Sequence, residues 1–152
     1  MLLFASCASQ KNLEGQQAPD LALRDLEGKS YRLSDLKGKV ILLDFWATWC
    51  PPCREELPVI EKLHQDFKGK GLLVLGISNE EKEVVEEFVR RNQLTFPILL
   101  DEKGEAGRKY KVVAIPRVIL IDKKGKIRKD IVGYNPRNEK ILRELIEKLM
   151  GE

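Results

Sequence analysis

The stretch that most constrains the fold is Lys39–Arg54, KVILLDFWATWCPPCR, where an apolar run leads into two cysteines separated by two prolines. Val40–Phe45 consists of four aliphatic residues, an aspartate and an aromatic residue, which predicts a buried strand. Pro51 and Pro52 cannot extend that strand, but proline is favoured in the first turn of a helix, where its missing N–H would lack a partner anyway. Cys50 is therefore expected where a strand passes into a helix.

The same junction indicates what the two cysteines can do. The N-terminus of a helix carries a partial positive charge, which stabilises a thiolate relative to a thiol. The thiolate is the attacking species in disulfide exchange, so Cys50 is the candidate nucleophile. Cys53 follows one turn later, close enough to form an intramolecular disulfide with Cys50.

Composition narrows the class of protein. A chain of 152 residues is long enough for one domain with a hydrophobic core. The net charge of +3 is small and both signs are well mixed, which argues against a nucleic-acid-binding protein. The basic cluster at 123–129 surrounds Gly125 and is interpreted as a solvated turn with an edge strand. The longest apolar runs have the length of a strand, so no membrane-spanning helix is predicted.

The third cysteine, Cys7, lies in the N-terminal sequence MLLFASCAS. Phe4–Cys7 resembles the end of a bacterial lipoprotein signal, in which the cysteine is lipidated after cleavage. The apolar segment is shorter than a normal signal core and no basic residue precedes it, so a truncated signal and a chance match both stay open. We expect residues 1–17 to form this signal-like terminus and a polar tether, residues 18–152 to form the folded domain, and the core to exclude the chain before about Pro19.

Strand and helix patterns alternate along the rest of the chain. Strands are expected in a hairpin over 21–33 and at 40–45, 72–77, 97–100, 118–121 and 127–132. Helices are expected after Pro51, over 80–92 and 104–110, and at the C-terminus. The apolar side of the second helix includes Val84, and that of the C-terminal helix includes Ile141. This order predicts an α/β protein with helices on both faces of its sheet.

Several separate motifs resemble the thioredoxin-fold proteins of the TlpA/ResA kind, from about Gln16 to the C-terminus. They are Ala18-Pro19-Asp20, the hairpin, the Asp44–Cys53 segment DFWATWCPPC, Glu56-Leu57-Pro58, Ile115-Pro116 and Gly133. The resemblance implies a thioredoxin-like fold with an N-terminal β-hairpin and a central helix–strand insertion. Its mixed sheet would carry helices on both faces.

The resemblance also implies roles for individual residues. Cys50 would be the exposed nucleophile and Cys53 the buried resolving thiol, the two forming the redox disulfide. Pro116 would follow a cis peptide bond and face the two sulfurs. The expected substrate-binding residues are Trp49, Pro51, Pro52, Ile115, Pro116 and Gly133. Arg117 stands where the family commonly has threonine, which leaves substrate preference open.

Two acids are candidate proton acceptors. Asp44 interrupts a strand that is otherwise apolar and matches the buried aspartate of thioredoxins, whereas Glu56 lies one turn past Cys53 and matches the glutamate of ResA-like proteins. A carboxylate shielded from water resists ionisation, so its pKa should rise towards the range of a working base. We therefore expect Asp44, Glu56 or both to take the proton from Cys53, as a coupled pair. Glu56 also has a simpler interpretation as a first-turn acid favoured by the helix dipole.

Other chemistries fit less well. A zinc site needs four ligands, and His64 cannot complete one with Cys50 and Cys53, so neither a metal nor an organic cofactor is expected. A peroxiredoxin-like peroxidase would place threonine three residues before the reactive cysteine and proline further upstream, where this chain has Ala47 and Leu43. A third possibility is a thioredoxin-like binding module that is not an enzyme.

The leading interpretation is a thiol–disulfide oxidoreductase that reduces disulfides of exported proteins, including apocytochrome c. Its partners would be proteins that carry disulfides and a thiol–disulfide electron donor in the membrane. We expect a monomer that touches the membrane only through a lipid on Cys7. Export would place it in the periplasm or on the outer face of the cytoplasmic membrane; if the Cys7 match is chance, the protein is cytoplasmic.

Overall fold

A computed structural model describes residues 11–152. Along the chain the elements are β1 (Ala22–Asp25), β2 (Ser30–Arg32), a 3-10 helix (Leu33–Leu36), β3 (Val40–Phe45), α1 (Pro51–Phe67), β4 (Leu72–Ser78), α2 (Lys82–Arg91), β5 (Ile98–Leu100), α3 (Glu105–Lys109), β6 (Arg117–Ile121), β7 (Ile127–Val132) and α4 (Asn138–Met150). The strands form one mixed sheet in the order β2-β1-β5-β4-β3-β6-β7. The predicted hairpin, central strand and helix–strand insertion are all present, with β5 parallel to β4.

The strand β3 lies inside the sheet, where it pairs in parallel with β4 and antiparallel with β6. All six of its residues are buried, as the unbroken apolar run predicted. Val40 and Leu42 pack into the core that α1, α2 and α4 cover, while Ile41 and Leu43 pack into the core on the α3 side. Helices therefore cover both faces. Because side chains alternate along a strand, Asp44 points to the α1 side.

The segment before Pro19 is part of the folded domain from residue 13, so the expectation that the core excludes it is wrong. Leu13 is 3% exposed. The N–H of Gly15 donates to the carbonyl oxygen of Ile127 at 2.8 Å, and the N–H of Ile127 donates to the carbonyl oxygen of Gln16 at 2.9 Å. These bonds occupy backbone groups that the edge strand β7 would otherwise leave unpaired. Cys7 and the predicted lipidation site lie outside the described residues.

None of the helices within residues 11–152 is long and apolar enough to span a bilayer.

Candidate active site

Cys50 lies at the junction that the sequence predicted. Four residues separate it from the end of β3, and it is the N-cap of α1, with backbone angles in the extended region (φ −89°, ψ 108°). Its sulfur accepts a hydrogen bond from the N–H of Cys53 at 3.3 Å, which is one of the N–H groups that a helix leaves unpaired in its first turn. Pro51 and Pro52 form the exposed start of the helix. The helix thus directs its positive end at Cys50.

Cys50 and Cys53 are joined as a disulfide, with their Cα atoms 5.2 Å apart. Cys53 is fully buried, as expected, but Cys50 is only 3% exposed, so the expectation of an exposed nucleophile is wrong for this oxidised form. The reason is that its sulfur is bonded to Cys53 and lies 3.8 Å from the carbonyl oxygen of Ile115. The neighbouring Trp49, by contrast, is 68% exposed.

The loop opposite the sulfurs contains the predicted cis proline. The Ile115–Pro116 peptide bond is cis, and Pro116 is buried directly before β6. The N–H of Gly133 donates to the carbonyl oxygen of Pro116 at 2.8 Å. Gly133 has φ +81°, a left-handed conformation that glycine adopts without strain. The structure therefore brings Ile115, Pro116 and Gly133 together next to Cys50.

A cavity of about 410 Å³ is lined by Trp49, which precedes Cys50, and by Ile115, whose carbonyl oxygen lies 3.8 Å from the sulfur of Cys50. We call it the active-site cavity; the lining residues that matter below are Trp49, Asp101, Arg108, Lys111, Val113 and Ile115. Gly133, expected to border the same groove as Trp49, does not line this cavity and instead supports Pro116 through its backbone. A cavity next to the reacting sulfur gives an extended substrate segment room to bind.

Asp44 and Glu56 meet in the layer between β3 and α1, on the side of the sheet where Cys53 lies. Asp44 is fully buried and Glu56 is 3% exposed. Neither carboxylate oxygen of Asp44 has a hydrogen-bond partner among residues 11–152. Burial raises the pKa of Asp44 to about 7. Burial also raises the pKa of Glu56, and the charge of Asp44 raises it further. Two carboxylates in contact resist ionising together, so the pair shares a proton near neutral pH.

A third acid, which the sequence analysis missed, holds the loop before Cys50. The N–H and the hydroxyl of Thr48 donate to the two carboxylate oxygens of Glu80 at 2.7 and 2.6 Å. The hydroxyl of Ser78 donates to the same carboxylate at 3.0 Å. The signal was available in principle, because Glu80 closely follows β4 and the carboxyl ends of the parallel strands β3 and β4 lie at the same edge of the sheet.

Arg117 follows the cis proline but does not enter the active-site cavity. Its guanidinium group is fully buried and forms a bidentate ion pair with Asp130, at 2.8 and 2.6 Å. Its remaining N–H groups donate to the carbonyl oxygens of Tyr110, Lys111 and Lys11, at 2.8, 3.0 and 2.8 Å. All five of its donors are therefore used. Arg117 connects β6, β7, the loop after α3 and the N-terminal segment.

Within residues 11–152, no group of three or more histidine, cysteine, aspartate or glutamate side chains is arranged to hold a metal ion.

Comparisons with known proteins show which family and which relatives this chain resembles. The model of the AhpC/TSA family matches residues 14–130. The thiol-disulfide oxidoreductase ResA of Bacillus thuringiensis subsp. konkukian (strain 97-27) is 38% identical over 136 residues, covering 89% of this chain and 78% of that protein. The thioredoxin-like protein YneN of Bacillus subtilis (strain 168) is 43% identical over 129 residues, covering 83% and 75%. A thiol:disulfide interchange protein from Bacteroides sp. superposes with a TM-score of 0.77 at 30% identity, covering 91% of each chain.

Proposed function

This chain belongs to the AhpC/TSA family and is a ResA-like thiol–disulfide oxidoreductase, and from that premise we propose that its Cys50–Cys53 dithiol reduces disulfides of exported proteins. The observation that carries the proposal is the disulfide itself, which lies at the N-terminus of α1 and faces the loop with the cis proline. The active-site cavity opens beside Trp49 and Ile115 and offers substrate sulfur an approach to Cys50 from that side.

The reaction consists of two exchanges of a sulfur–sulfur bond. The thiolate of Cys50 attacks one sulfur of the substrate disulfide, forms a mixed disulfide and releases the other substrate sulfur as a thiolate, which takes a proton. The thiolate of Cys53 then attacks the sulfur of Cys50 and releases the second substrate thiol. The substrate gains two electrons and two protons, and the enzyme is left with the Cys50–Cys53 disulfide.

The second exchange needs Cys53 to lose a proton in a place that water does not reach. Asp44 and Glu56 supply the acceptor in this proposal, because they are buried in the same layer as Cys53 and hold fewer protons than they have carboxyl groups near neutral pH. The same pair returns a proton when the disulfide is reduced again. We assign the function to the pair and not to one acid, since coupled groups titrate together.

The substrate-binding roles follow from the loops around the sulfur. The backbone of Ile115, beside Pro116, would pair with an extended segment of the substrate, as β-strand addition does at other exposed backbone edges. Trp49 forms one exposed side of the binding groove, and Pro51 and Pro52 form the rim next to it. Gly133 contributes indirectly, by holding the carbonyl oxygen of Pro116.

The cellular setting is inferred from the family and from Cys7. In an oxidising compartment such as the periplasm or the outer face of the cytoplasmic membrane, a reductase depends on a membrane thiol–disulfide donor that restores its dithiol. Apocytochrome c before haem attachment is a substrate of the right kind, because its two haem-binding cysteines must be reduced. A lipid on Cys7 would keep a monomeric enzyme close to its electron donor.

The residues around Cys50 do not support the peroxidase alternative. Ala47, three residues before Cys50, is buried and carries no hydroxyl group that could bind a peroxide. Leu43 lies within β3 and packs into the core on the α3 side. The arrangement around Cys50 therefore favours disulfide exchange.

The proposal is tested by measuring reduction of the disulfides of insulin with dithiothreitol as the electron source. We expect the wild-type protein to accelerate the reaction well above the rate with dithiothreitol alone, and Cys50→Ser to give only that background rate. Hydrogen peroxide is offered in a parallel assay. Turnover of peroxide without reduction of insulin would contradict the proposal in favour of the peroxidase, and turnover of neither would favour a binding module.

A further inference from the structure

The active-site cavity extends well beyond the sulfur. It begins at Trp49 and Ile115, and the carbonyl oxygen of Ile115 lies 3.8 Å from the sulfur of Cys50. From there it continues to α3 and the loop that follows α3. A substrate segment whose cysteine meets Cys50 can therefore place its neighbouring residues along this cavity.

The wall nearest the sulfur is apolar and open to solvent. Trp49 is 68% exposed and Val113 is 67% exposed, although both are large apolar side chains. Ile115 lines the same cavity and is half-buried. Apolar side chains that cluster at the mouth of a cavity are available to cover an apolar side chain of a ligand.

The far wall is positively charged. Arg108 and Lys111 both line the cavity and are exposed. The acid that lines it, Asp101, is buried, and its carboxylate accepts hydrogen bonds from the N–H groups of Ala106 and Gly107 at the start of α3, at 3.1 and 2.9 Å. The N–H groups at the start of α3 therefore partly offset its charge.

The two cations have no acidic partner of their own. Within the described part of the chain, neither Arg108 nor Lys111 forms an ion pair with a carboxylate. A pair of cations without ion-pair partners, at the far end of a cavity whose mouth is apolar, is complementary to a carboxylate on a ligand.

The backbone that presents these cations is fixed. Lys111 has φ +53°, an uncommon conformation for a residue other than glycine. Its carbonyl oxygen accepts a hydrogen bond from the buried guanidinium of Arg117 at 3.0 Å, and its N–H donates to the carbonyl oxygen of Arg108 at 3.1 Å. Arg108 itself donates to the carbonyl oxygen of Lys103 at 2.9 Å. Less conformational freedom is therefore lost when a ligand binds.

We propose that the active-site cavity selects protein disulfides flanked by an apolar residue and, a few residues away, an aspartate or glutamate. The apolar side chain packs on Trp49 and Val113, and the carboxylate binds between Arg108 and Lys111. This inference rests on the proposed reductase function and names its substrate class. Arg117 acts on this selection as a positioning residue, because it holds the backbone of Lys111 from the core.

The test uses three short peptides that differ only in the flanking charged position, which is Glu, Gln or Lys. The peptide cysteine is carried as a mixed disulfide with 5-thio-2-nitrobenzoate, so the attack of Cys50 on the peptide sulfur releases a coloured thiolate. Second-order rate constants are measured for the reduced full chain at low and high salt. We expect the Glu peptide to react about three- to tenfold faster than the Gln peptide at low salt, and this advantage to shrink at high salt.

The variant R108E together with K111E should reverse the order, so that the Lys peptide reacts faster than the Glu peptide. The control is K70E together with K124E, which changes the net charge equally at two exposed positions outside the cavity. It should keep the wild-type order. Equal rates for the Glu and Gln peptides would overturn the substrate class while leaving the reductase intact. Loss of the preference for the Glu peptide in the control variant would overturn the assignment of this preference to Arg108 and Lys111. No reaction with any peptide would overturn the proposed function itself.

Discussion

Asp44 and Glu56 are buried acids that nothing among residues 11–152 neutralises by an ion pair. Burying a carboxyl group in its ionised form is costly, and keeping it protonated reduces the penalty. Both acids are buried on the side of the sheet where Cys53 lies. They should therefore affect both the stability of the fold and the rate of the reaction, and the two effects can be measured separately. Both effects follow from the same raised pKa values.

The stability of the oxidised protein should depend on this pair. The unfolded carboxyl groups titrate near 3.8 and 4.5, and burial raises the pKa of both groups in the folded protein. At a pH between the unfolded and the folded pKa, the folded protein holds a proton that the unfolded chain has released. The contribution of the pair to stability is therefore full below the unfolded pKa and falls as the pH rises towards the folded pKa. Glu56→Gln should flatten this decline. Urea unfolding of the wild type and the variant from pH 4 to pH 9 tests this prediction. An equally steep decline of the free energy of unfolding with pH in both proteins would refute it.

The reaction rate should depend on the same pair. The variant with both Asp44→Asn and Glu56→Gln cannot accept the proton of Cys53, so disulfide turnover near neutral pH should fall by about 10- to 100-fold. Raising the pH should restore part of the rate, since hydroxide then deprotonates Cys53. Glu55→Gln is the matched control, because Glu55 is the exposed neighbour of Glu56. An unchanged pH–rate profile in the double amide variant would exclude a role in proton transfer.

Sequence reasoning reached these residues unevenly. An acid inside an apolar run and an acid one turn past a cysteine can both be recognised from spacing, so Asp44 and Glu56 were found. Glu80 was missed because its contact with Thr48 joins residues 32 positions apart. Arg117 was read as a change near the substrate, but its side chain lies in the core, and a residue type alone does not tell on which face of the strand it is placed.

At the scale of elements, the strongest local patterns gave the most accurate predictions. The strand β3 has the predicted bounds, 40–45, because its apolar run is uninterrupted. Helical periodicity was less accurate at the margins of the apolar faces. Val84 in α2 and Ile141 in α4 were assigned to those faces but are 46% and 42% exposed. The pairing of residues 15–17 with β7 could not be predicted, since it joins segments more than 100 positions apart.

The buried ion pair between Arg117 and Asp130 should contribute strongly to the stability of the fold. Arg117→Met leaves the carboxylate of Asp130 buried without its cation and leaves three carbonyl oxygens without a donor. We expect the free energy of unfolding to fall by about 3–5 kcal/mol. Arg128→Met is the control, because the ion pairs of Arg128 with Asp122 and Glu152 are partly exposed, and exposed pairs contribute about 1 kcal/mol or less. Urea unfolding compares the two, and equal losses would contradict the assigned role of Arg117.

At the scale of the whole molecule, the sheet order explains why one site forms. Because β3 has β4 on one side and β6 on the other, the end of β3, the start of α1 and the loop before β6 meet at one edge of the sheet. Cys50 comes from the first connection and Pro116 from the second. The thioredoxin-like fold was predictable from motifs, whereas the cations of the active-site cavity come from α3 and the following loop, where the sequence contains no comparable motif.

The most direct test of the account compares Cys53→Ser with Cys50→Ser after each reduced protein is mixed with a disulfide-bonded substrate protein. Cys50 attacks and Cys53 resolves in this account, so Cys53→Ser should accumulate a covalent adduct through Cys50, and Cys50→Ser should form none. Mass spectrometry under non-reducing conditions locates the linked cysteine. Adducts formed equally well through Cys53 in the Cys50→Ser variant, or no adduct in either, would contradict the account.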